Sequence, residues 1–497
     1  MTLTTLKRIF PILLLTIASL AWTTPAVAQD PTPTPAETPT PLPGASPSPG
    51  ASPQPVSGPI YVVQSGDSLY NIANDFGVSL ADLIAANSIV NANNIGVGSQ
   101  LIIPGLEGIN GILDKESISY GDTLRSISRR DQIPEDLLRQ LNHITSPSEL
   151  YANGNLTALQ NDSLPPLSSR FSLEPAETLL EAAILAQTDP WTLTTVNNLK
   201  GSWAAIPGDI LYVPGKPPQG SPQPNGMPLV FENATLPHLP LKQGGTAEIV
   251  VQVASGVKLD GTLVDKPLHF FPLEDGKQVA LQGIHALLDP GLYPLTLEAT
   301  LPDGSKQSFE QMVVVRSGNF PTDPVLSVEP ETIDPVVNDA EQKKLEEITA
   351  PITTTKYWQA GFTNPSSFPD CHPSYFGNRR NYIGIGTNQT YQSFHAGLDF
   401  CGKVGDPISA AADGVVIFTG LLTVHGNATI IDHGWGIYSM YCHQSQINVH
   451  VGQTVKAGDL IGLVGRTGRV SAPHLHFEIW VNGIQVDPMD WLGNSYP

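Results

Sequence analysis

The sequence predicts a multidomain protein composed of small α+β repeats, a β-sandwich and a β-rich C-terminal domain. Its 497 residues exceed what one core can hold, because domains average about 150 residues. The chain has 45 glycines and 46 prolines while only 14% of its residues are charged, which favours turns, linkers and strands over long surface helices. An apolar pattern also recurs at intervals of 55 residues, which is typical of a repeated small module.

The charge balance excludes one broad class of partner. A net charge of −21, from 46 acidic and 25 basic residues, argues against nucleic-acid binding, because phosphate recognition needs clustered Lys and Arg. We therefore expect no nucleic-acid partner.

The N-terminus has the pattern of a secretory signal peptide over residues 1–28. Lys7 and Arg8 precede an apolar run, and an Ala-Val-Ala motif ending at Ala28 forms a peptidase cleavage site. The alternative, an uncleaved membrane anchor, is disfavoured because the run is shorter than about 20 residues and contains Pro11. We expect cleavage after Ala28, export, and membrane contact only before cleavage.

Two segments have the composition of linkers. Residues 29–58 and 216–227 are rich in Pro, Gly and small polar residues, and they have almost no large apolar side chains with which to bury a core. The first segment is expected to act as a semi-extended tether.

Between these linkers, the chain predicts repeated units of strand, helix, helix and strand. In the first unit, one helix begins after Asp67 or Ser68 as the N-cap, and a second begins at Ser79 with a capping box. Its apolar and Asn positions recur 55 and 110 residues later. The corresponding triplets are Leu69, Leu83 and Asn87; Leu124, Leu138 and Asn142; and Leu179, Leu193 and Asn197.

The segment "YVVQSGDSLYNIANDFGVSLADLIAANSI" resembles a LysM domain, and we assign LysM-like units to residues 59–105, 114–160 and 171–215. The third unit departs from the pattern because Ala176-Glu177 replaces the Gly-Asp pair. The resemblance implies binding to N-acetylglucosamine-containing glycans such as peptidoglycan. The alternative for the second and third units is that they are spacers that have lost the sugar groove.

The next two segments show no cluster of titratable residues. Residues 228–317 alternate in the manner of strands, as in "TAEIVVQV", and predict a β-sandwich that serves as a spacer or interaction module. Residues 318–354 predict a polar connector with one short helix in "NDAEQKKLEEI".

Histidines are concentrated in the last third of the chain, and two of them lie in the strand-like segment "PHLHFEI". Residues two apart in a strand share a face, so His474 and His476 project together. Because catalytic zinc sites generally use three protein ligands, further ligands must lie upstream. The segment "SFHAGLDF" supplies His395 and Asp399, and Gly397 between them allows the bend that would bring both side chains to one point.

A third element, "YSMYCHQSQ", adds another candidate. Strand alternation predicts Tyr441 and His443 on the cleft face and Cys442 on the opposite face. This arrangement argues against the alternative of a cysteine peptidase that uses Cys442.

Together, these motifs and "GQTVKAGDLIG" resemble the lysostaphin/LytM-type zinc metallopeptidases, and the resemblance places this domain at residues 355–497. It implies a mostly antiparallel β fold, the duplicated hybrid motif. It further implies that Zn²⁺ is bound by His395, Asp399 and His476, and that His443 and His474 flank the water that the metal activates. The sequence has "TGRVSA" where the family often has "TGRSTG", which affects the rim of the site.

The other histidines, two arginines and the cysteines of this domain are given no role in the site or have roles that remain open. His425, His433 and His450 are interpreted as loop or surface histidines. Arg379 or Arg380 is either a partner for a substrate carboxylate or part of a solvated basic pair. Three cysteines allow at most one disulfide; Cys371 and Cys401 form a candidate pair, with Cys442 as the third thiol.

The sequence thus predicts a secreted or cell-envelope peptidoglycan hydrolase, in which LysM units hold glycan strands and a zinc endopeptidase cleaves peptide stems or cross-links. Two alternatives are a catalytically silent protein that binds peptidoglycan or activates another hydrolase, and a purely adhesive glycan-binding protein. The sequence does not distinguish glycine bridges from direct cross-links as the substrate.

Overall fold

The computed structural model describes residues 58–91, 95–106, 109–160, 167–173, 177–215, 227–228 and 230–497. All of these fall within one compact unit, Val56–Pro497. The predicted signal peptide, nearly all of the first linker and nearly all of the second lie outside the described residues. Within the described part, every helix is too short or too polar to cross a membrane. The predicted fold class, a multidomain and mainly β chain, is confirmed.

Each of the three repeats folds as strand, helix, helix and strand. Their elements are β1 Ile60–Val62, α1 Leu69–Asp75, α2 Leu80–Ala86 and β2 Gln100–Ile102; β3 Ile112–Ser117, α3 Leu124–Asp131, α4 Glu135–Leu141 and β4 Asn155–Leu159; and β5 Leu167–Ser172, α5 Leu179–Leu185, α6 Pro190–Val196 and β6 Ile210–Pro214. Helix α1 begins after Ser68, whose hydroxyl accepts from the Asn71 amide. The first two repeats share a sheet of order β2-β1-β3-β4, while β5 and β6 form a separate pair.

The asparagine that recurs in the three repeats makes the same hydrogen bonds in each of them. The Asn87 side chain donates to the carbonyls of Leu83 and Ile102 at 2.9 and 2.8 Å and accepts from the Ile102 amide at 2.6 Å. Asn142 and Asn197 make the same three bonds in their own repeats. The side chain therefore ties the end of the second helix to the last strand in every unit.

A two-layer β-sandwich follows. Its strands are β7 Phe231–Thr235, β8 Leu241–Lys242, β9 Thr246–Val253, β10 Lys258–Leu263, β11 Lys266–Pro267, β12 Phe271–Pro272, β13 Gln278–Gly283, β14 Gly291–Thr300 and β15 Lys306–Arg316. The two sheets have the orders β11-β10-β14-β15-β8 and β12-β13-β9-β7, and their inward apolar residues form one core. The sandwich is thus stabilised mainly by burial of alternate residues from both layers.

The predicted connector is more structured than its polar composition suggested. It contains β16 Leu326–Val328, a 3₁₀ turn and the 15-residue helix α7, Pro335–Thr349. Asp334 caps this helix by accepting from the Val336 amide, and Pro335 occupies its first turn. The strand β16 pairs in parallel with the C-terminal domain, so this segment is built into that domain.

The C-terminal domain is dominated by antiparallel strands. Its elements are β17 Arg379–Gly384, β18 Thr390–Phe394, β19 Leu398–Cys401, β20 Pro407–Ser409, β21 Gly414–Leu422, β22 Gly426–Gly434, β23 Ile437–Cys442, β24 Gln444–Ile447, β25 Thr454–Val455, β26 Leu460–Val464, β27 His474–Val481, β28 Ile484–Val486 and α8 Pro488–Gly493. The main sheet has the order β19-β27-β23-β22-β21-β25, and a second sheet has the order β20-β26-β24.

The sandwich and the C-terminal domain share buried surface. Phe271 of the sandwich stacks on Trp435 with ring centroids 4.8 Å apart, and Val279 belongs to the same apolar core as the main sheet. The Trp491 indole donates to Thr246 Oγ1 at 2.9 Å. The sandwich is therefore a packed support for the domain that carries the predicted site.

Candidate active site

The five predicted site residues, His395, Asp399, His443, His474 and His476, line one cleft of about 390 Å³. The antiparallel pairing of β19 with β27 creates this arrangement. Asp399 and His476 are directly opposite each other in the register, so their side chains emerge on the same face of the sheet. His474 and His476 are two residues apart on β27 and point into the same cleft, as the alternation predicted.

Three of these residues meet at one point. His395 Nε2 lies 3.0 Å from both Asp399 Oδ1 and His476 Nδ1, and the last two atoms are 2.9 Å apart. All three residues are buried. One histidine nitrogen from each ring and one carboxylate oxygen therefore form a compact set of donor atoms that is able to hold a metal ion.

The hydrogen bonds that His395 and His476 make on the sides away from the cluster determine which nitrogen of each ring faces inward without a proton. His395 Nδ1 donates to the Tyr375 carbonyl at 2.8 Å, and His476 Nε2 donates to Glu478 Oε1 at 2.9 Å. Burial lowers the pKa of His395 to about 4, which keeps this ring neutral. Its Nε2 therefore presents a lone pair to the cluster, while the contact of His476 Nε2 with Glu478 leaves the Nδ1 of that ring facing the same point. Lone pairs packed this closely fit a cation between them.

Asp399 stays ionised although it is buried. Burial by itself would raise the pKa of Asp399, but the close approach of His395, His474 and His476 to its carboxylate holds it well below its usual value. Arg380 Nη2 also lies 3.3 Å from Asp399 Oδ2. Arg380 is therefore not a solvated arginine, because this guanidinium is ion-paired to a predicted metal ligand. It lines the cleft, and its role as a partner for a substrate carboxylate stays a prediction. Arg379 is exposed.

Gly397 is required at the turn between His395 and Asp399 because of close packing. A Cβ at this position would lie 2.4 Å from the Phe477 carbonyl oxygen and 2.8 Å from His476 Cε1. This glycine therefore serves the bend predicted from the sequence and also lets the backbone pass directly against β27.

His474 and His443 lie beside the three-atom cluster. His474 Nε2 is 3.5 Å from Asp399 Oδ1, while its Nδ1 donates to the Ala472 carbonyl at 2.8 Å. His443 Nδ1 donates to the Thr467 carbonyl at 2.8 Å, and its ring centroid is 4.9 Å from that of His474. Both rings are thereby fixed with the other nitrogen at the cleft, where that of His474 contacts Asp399.

The environments of these two rings shift their pKa values in opposite directions. Burial and the neighbouring His474 and His476 hold the pKa of His443 well below its usual value. Burial also disfavours charge on His474, but its contact with Asp399 outweighs this effect and raises the pKa of His474. The cleft therefore contains one imidazole that favours the neutral form and one that more readily holds a proton.

Cys442 lies on the cleft face of the sheet, contrary to the alternation argument. It is the register partner of His476 on β27, whereas Tyr441 pairs with Phe477 and faces the opposite core. His443 reaches the cleft because the strand ends at Cys442 and His443 adopts a left-handed backbone, with φ at 60°. Cys442 is nevertheless covered by apolar side chains. Burial and nearby carboxylates raise the pKa of its thiol well above the usual value, which disfavours a nucleophile.

The interpretation of His433 as a loop or surface residue was also wrong. His433 is fully buried, and its nitrogens contact the Asp413 carbonyl and the Ser439 hydroxyl, both at 2.7 Å. His425 lies in the turn between β21 and β22, as expected for a loop residue, although it is only partly exposed. It bridges two carboxylates, as described further below. His450 is exposed, as expected.

The cysteine pairing left open by the sequence is resolved. Cys371 and Cys401 form a disulfide that closes a 30-residue separation, and Cys442 is unpaired. Since Cys401 is the register partner of His474, this disulfide supports the strand that carries Asp399.

Two glutamates that sequence reasoning missed complete the surroundings of His476. Glu478 accepts from His476 Nε2, from His425 Nε2 at 3.2 Å and from the Trp480 indole at 2.7 Å. Glu341, on helix α7, contacts the other nitrogen of His425 at 2.6 Å. Glu478 lies in the recognised strand segment two residues beyond His476 and could have been identified by alternation, whereas Glu341 carries no motif.

Comparison with known proteins shows that two family models match three segments of this chain. The model of peptidase family M23 matches residues 393–488, and the LysM domain model matches residues 61–104 and 117–157. The first of these matches contains all five predicted site residues. The LysM matches take in the first and second repeats.

Individual relatives resemble the C-terminal region. The DD-carboxypeptidase/endopeptidase Mpg of Neisseria meningitidis is 42% identical over 95 residues, which cover 19% of this chain and 22% of the relative. The peptidoglycan DD-endopeptidase ShyA of Vibrio cholerae is 44% identical over 95 residues, with the same two shares. The catalytic domain of the antimicrobial peptidase lysostaphin from Staphylococcus simulans is 30% identical and covers 28% of this chain and 93% of that structure, with a TM-score of 0.20. The chain thus spans about a fifth of the length of these two curated relatives (22% in each).

Proposed function

We propose that this protein, which has LysM domains and a C-terminal domain of peptidase family M23, is an exported zinc endopeptidase that cleaves peptidoglycan peptides. The observation that carries this proposal is the meeting of His395 Nε2, Asp399 Oδ1 and His476 Nδ1 within 3.0 Å of one another in an accessible cleft. Two of the three proposed ligands, Asp399 and His476, lie on paired strands, which hold them more rigidly than loops do.

His395, Asp399 and His476 would hold the metal ion. Two imidazole nitrogens and one carboxylate oxygen form a donor set that suits Zn²⁺ in catalytic sites. When bound, Zn²⁺ would polarise the scissile carbonyl and lower the pKa of a water molecule toward neutrality. The chain's contribution is to keep the inward nitrogens unprotonated, through Tyr375 and Glu478, and to keep Asp399 ionised.

His474 and His443 would handle protons at the cleft. Each ring donates its Nδ1 proton to a backbone carbonyl, so each has Nε2 available for substrate or water. The raised pKa of His474 suits proton donation to a leaving amine, and the lowered pKa of His443 suits a ring that remains neutral while it orients a polar group.

The proposed substrate is the peptide part of peptidoglycan. Of the relatives named above, ShyA is described as a peptidoglycan DD-endopeptidase and Mpg as a DD-carboxypeptidase/endopeptidase, and the LysM resemblance implies glycan binding. LysM units on the same chain would raise the local concentration of peptide stems or cross-links around the cleft. This substrate lies outside the cytoplasm, which agrees with the predicted signal peptide and a secreted or envelope location.

The competing proposal is a silent protein that binds peptidoglycan or activates another hydrolase. Loss of a ligand would favour it, but all three proposed ligands are present and adjacent. Incubation of the full chain with purified peptidoglycan separates the two. We expect soluble peptides to be released with Zn²⁺, and release to stop with a chelator and return when zinc is restored. An absence of release with zinc, or release that survives both chelator and the His474→Ala substitution, would exclude the enzyme.

A further inference from the structure

We propose that residues 318–354, predicted as a connector, complete the active site by positioning its metal ligands through Glu341 and Asp323. This proposal rests on the proposed metal-binding function of His395, Asp399 and His476. Neither carboxylate touches the cluster of donor atoms, and both lie upstream of residues 393–488, which match the peptidase family. Glu341 is three hydrogen bonds away from His476, and Asp323 is two contacts away from His395 and Asp399.

Glu341 reaches His476 through a chain of hydrogen bonds. Glu341 Oε2 accepts from the Val424 amide at 2.9 Å, and Oε1 accepts from the backbone and ring of His425 at 3.1 and 2.6 Å. The other ring nitrogen of His425 lies 3.2 Å from Glu478 Oε1, the same oxygen that accepts from His476 Nε2. Glu341 thereby fixes His425, which in turn fixes the carboxylate that orients His476.

The two carboxylates in this series of hydrogen bonds are buried, so each needs a partner. Glu341 is 7% exposed and the Glu478 side chain is fully buried, although each carries a carboxylate. Buried carboxylates are costly unless they are paired and hydrogen-bonded. His425 supplies one donor to each of them, so removal of the Glu341 charge would leave the His425–Glu478 pair without its outer partner.

Asp323 acts on the opposite side of the cluster. Its Oδ1 accepts from Asn378 at 2.7 Å, and its Oδ2 accepts from the Ser374 hydroxyl at 3.2 Å and lies 3.4 Å from Arg380 Nε. Arg380 in turn pairs with Asp399 Oδ2, while Ser374 Oγ is 3.2 Å from His395 Nδ1. Asp323 therefore holds the two side chains that contact the outer faces of His395 and Asp399.

The segment has the anchoring that a positioning role requires. Strand β16 pairs in parallel with β17, with Leu326 opposite Tyr382. Helix α7 buries Leu345 completely in an apolar cluster with Cys442 and Trp480, on the same face of the main sheet as the cleft. Asp323 lies just before β16, and its amide donates to the Arg379 carbonyl at the start of β17 at 2.9 Å. Asn338, Glu341 and Gln342 of α7 line the cleft itself.

The test measures metal affinity in the full-length chain. Zn²⁺ dissociation constants are determined by competition with a chelator for the wild type, Glu341→Gln, Asp323→Asn and the control Glu347→Gln. The control removes the same charge from an exposed position on the same helix. We expect the first two variants to bind Zn²⁺ about 10- to 100-fold more weakly, because partners of metal ligands commonly have effects of that size, and the control to bind as the wild type does.

A spectroscopic reading separates positioning from general destabilisation. In the Co²⁺-loaded proteins, we expect Glu341→Gln and Asp323→Asn to change the visible absorption bands while their thermal transitions remain cooperative, and Glu347→Gln to leave the bands unchanged. Because Glu341 is buried, Asp323→Asn at a partly exposed site provides an independent reading if Glu341→Gln does not fold. Wild-type affinity and wild-type bands in a folded Asp323→Asn or Glu341→Gln variant would overturn the role of that residue. Failure of the wild type to bind Zn²⁺ would instead overturn the proposed function on which the inference rests.

Discussion

Asp399 and His476 are register partners on β19 and β27, and their side chains meet with 2.9 Å between Asp399 Oδ1 and His476 Nδ1. Strand pairing, rather than a flexible loop, therefore sets the distance between two of the three proposed ligands. A slip of one residue in this pairing would turn one of the side chains to the opposite core. The site is thus as rigid as the sheet.

Replacement of Asp399 by Asn should remove metal binding without unfolding the domain. The amide keeps the shape of the side chain but loses the charge that attracts the cation. We expect Zn²⁺ affinity to fall by at least about 100-fold and peptide release to become undetectable, since loss of a ligand exceeds loss of an outer partner. Chelator competition measures the affinity. Asp370→Asn, at an exposed site, is the matched control; equal affinities for the two variants would refute the ligand role.

Replacement of His474 by Ala should separate catalysis from metal binding. His474 lies 3.5 Å from Asp399 but outside the three-atom cluster. We expect kcat to fall by about 10²- to 10⁴-fold, the usual contribution of a proton-transferring residue, while zinc content stays near that of the wild type. His450→Ala serves as the control because His450 is exposed. A loss of bound zinc in His474→Ala would assign this residue to the metal instead.

Replacement of Gly397 by Ala should damage the site through crowding alone. The new methyl group would be 2.4 Å from the Phe477 carbonyl oxygen and 2.8 Å from His476 Cε1, so β27 or the turn must move. We expect a loss of about 1–3 kcal/mol in the free energy of unfolding, together with weaker Zn²⁺ binding. Thermal denaturation and chelator competition measure the two effects. Gly493→Ala, where a Cβ meets no neighbour, should change neither; an unaffected Gly397→Ala would show that the backbone has room here.

The stability of the protein should fall in acid partly because of His433. Burial lowers the pKa of this ring to about 4, from 6.5 when exposed, so the folded state keeps it neutral. The neutral His433 ring makes its full contribution to the free energy of unfolding above pH 6.5. This contribution is lost as the pH falls toward 4, because the unfolded chain then binds a proton that the folded chain does not. We expect this term to reach about 3 kcal/mol.

The measurement for His433 is a comparison of unfolding curves at pH 8 and pH 5 for the wild type and His433→Gln. The glutamine side chain cannot titrate, so the stability of the variant should depend less on pH than that of the wild type. At pH 8 we expect the variant to be the less stable of the two. An identical pH dependence in the two proteins would contradict the assignment of the acid loss to His433.

Local patterns were sufficient to predict the residues that meet at the site. His474 and His476 lie on one strand, so alternation identifies the face that they share, and the spacing of His395 and Asp399 around Gly397 predicts a bend that brings these two together. Alternation failed at Cys442 because the strand ends there and His443 turns over through a left-handed backbone. A change of backbone conformation after one residue has no clear signature in the sequence.

The long-range partners could not have been predicted. Glu341 is one of several acidic residues in "NDAEQKKLEEI", and only the packing of α7 against Val424 and His425 distinguishes it from its neighbours. Asp323 likewise lies 51 positions from Ser374, in a segment whose composition resembles a linker. Contacts of this kind depend on tertiary packing, which one sequence does not encode in any local pattern.

The most direct test of the central proposal is mass spectrometry of the fragments that the full chain releases from purified peptidoglycan. We expect zinc-dependent products with new amino termini within peptide stems or cross-links, and the same products to be absent with Asp399→Asn. Fragments that differ from the substrate only in their glycan ends, or an Asp399→Asn variant that releases the same peptides, would contradict a metal-dependent endopeptidase at this cleft.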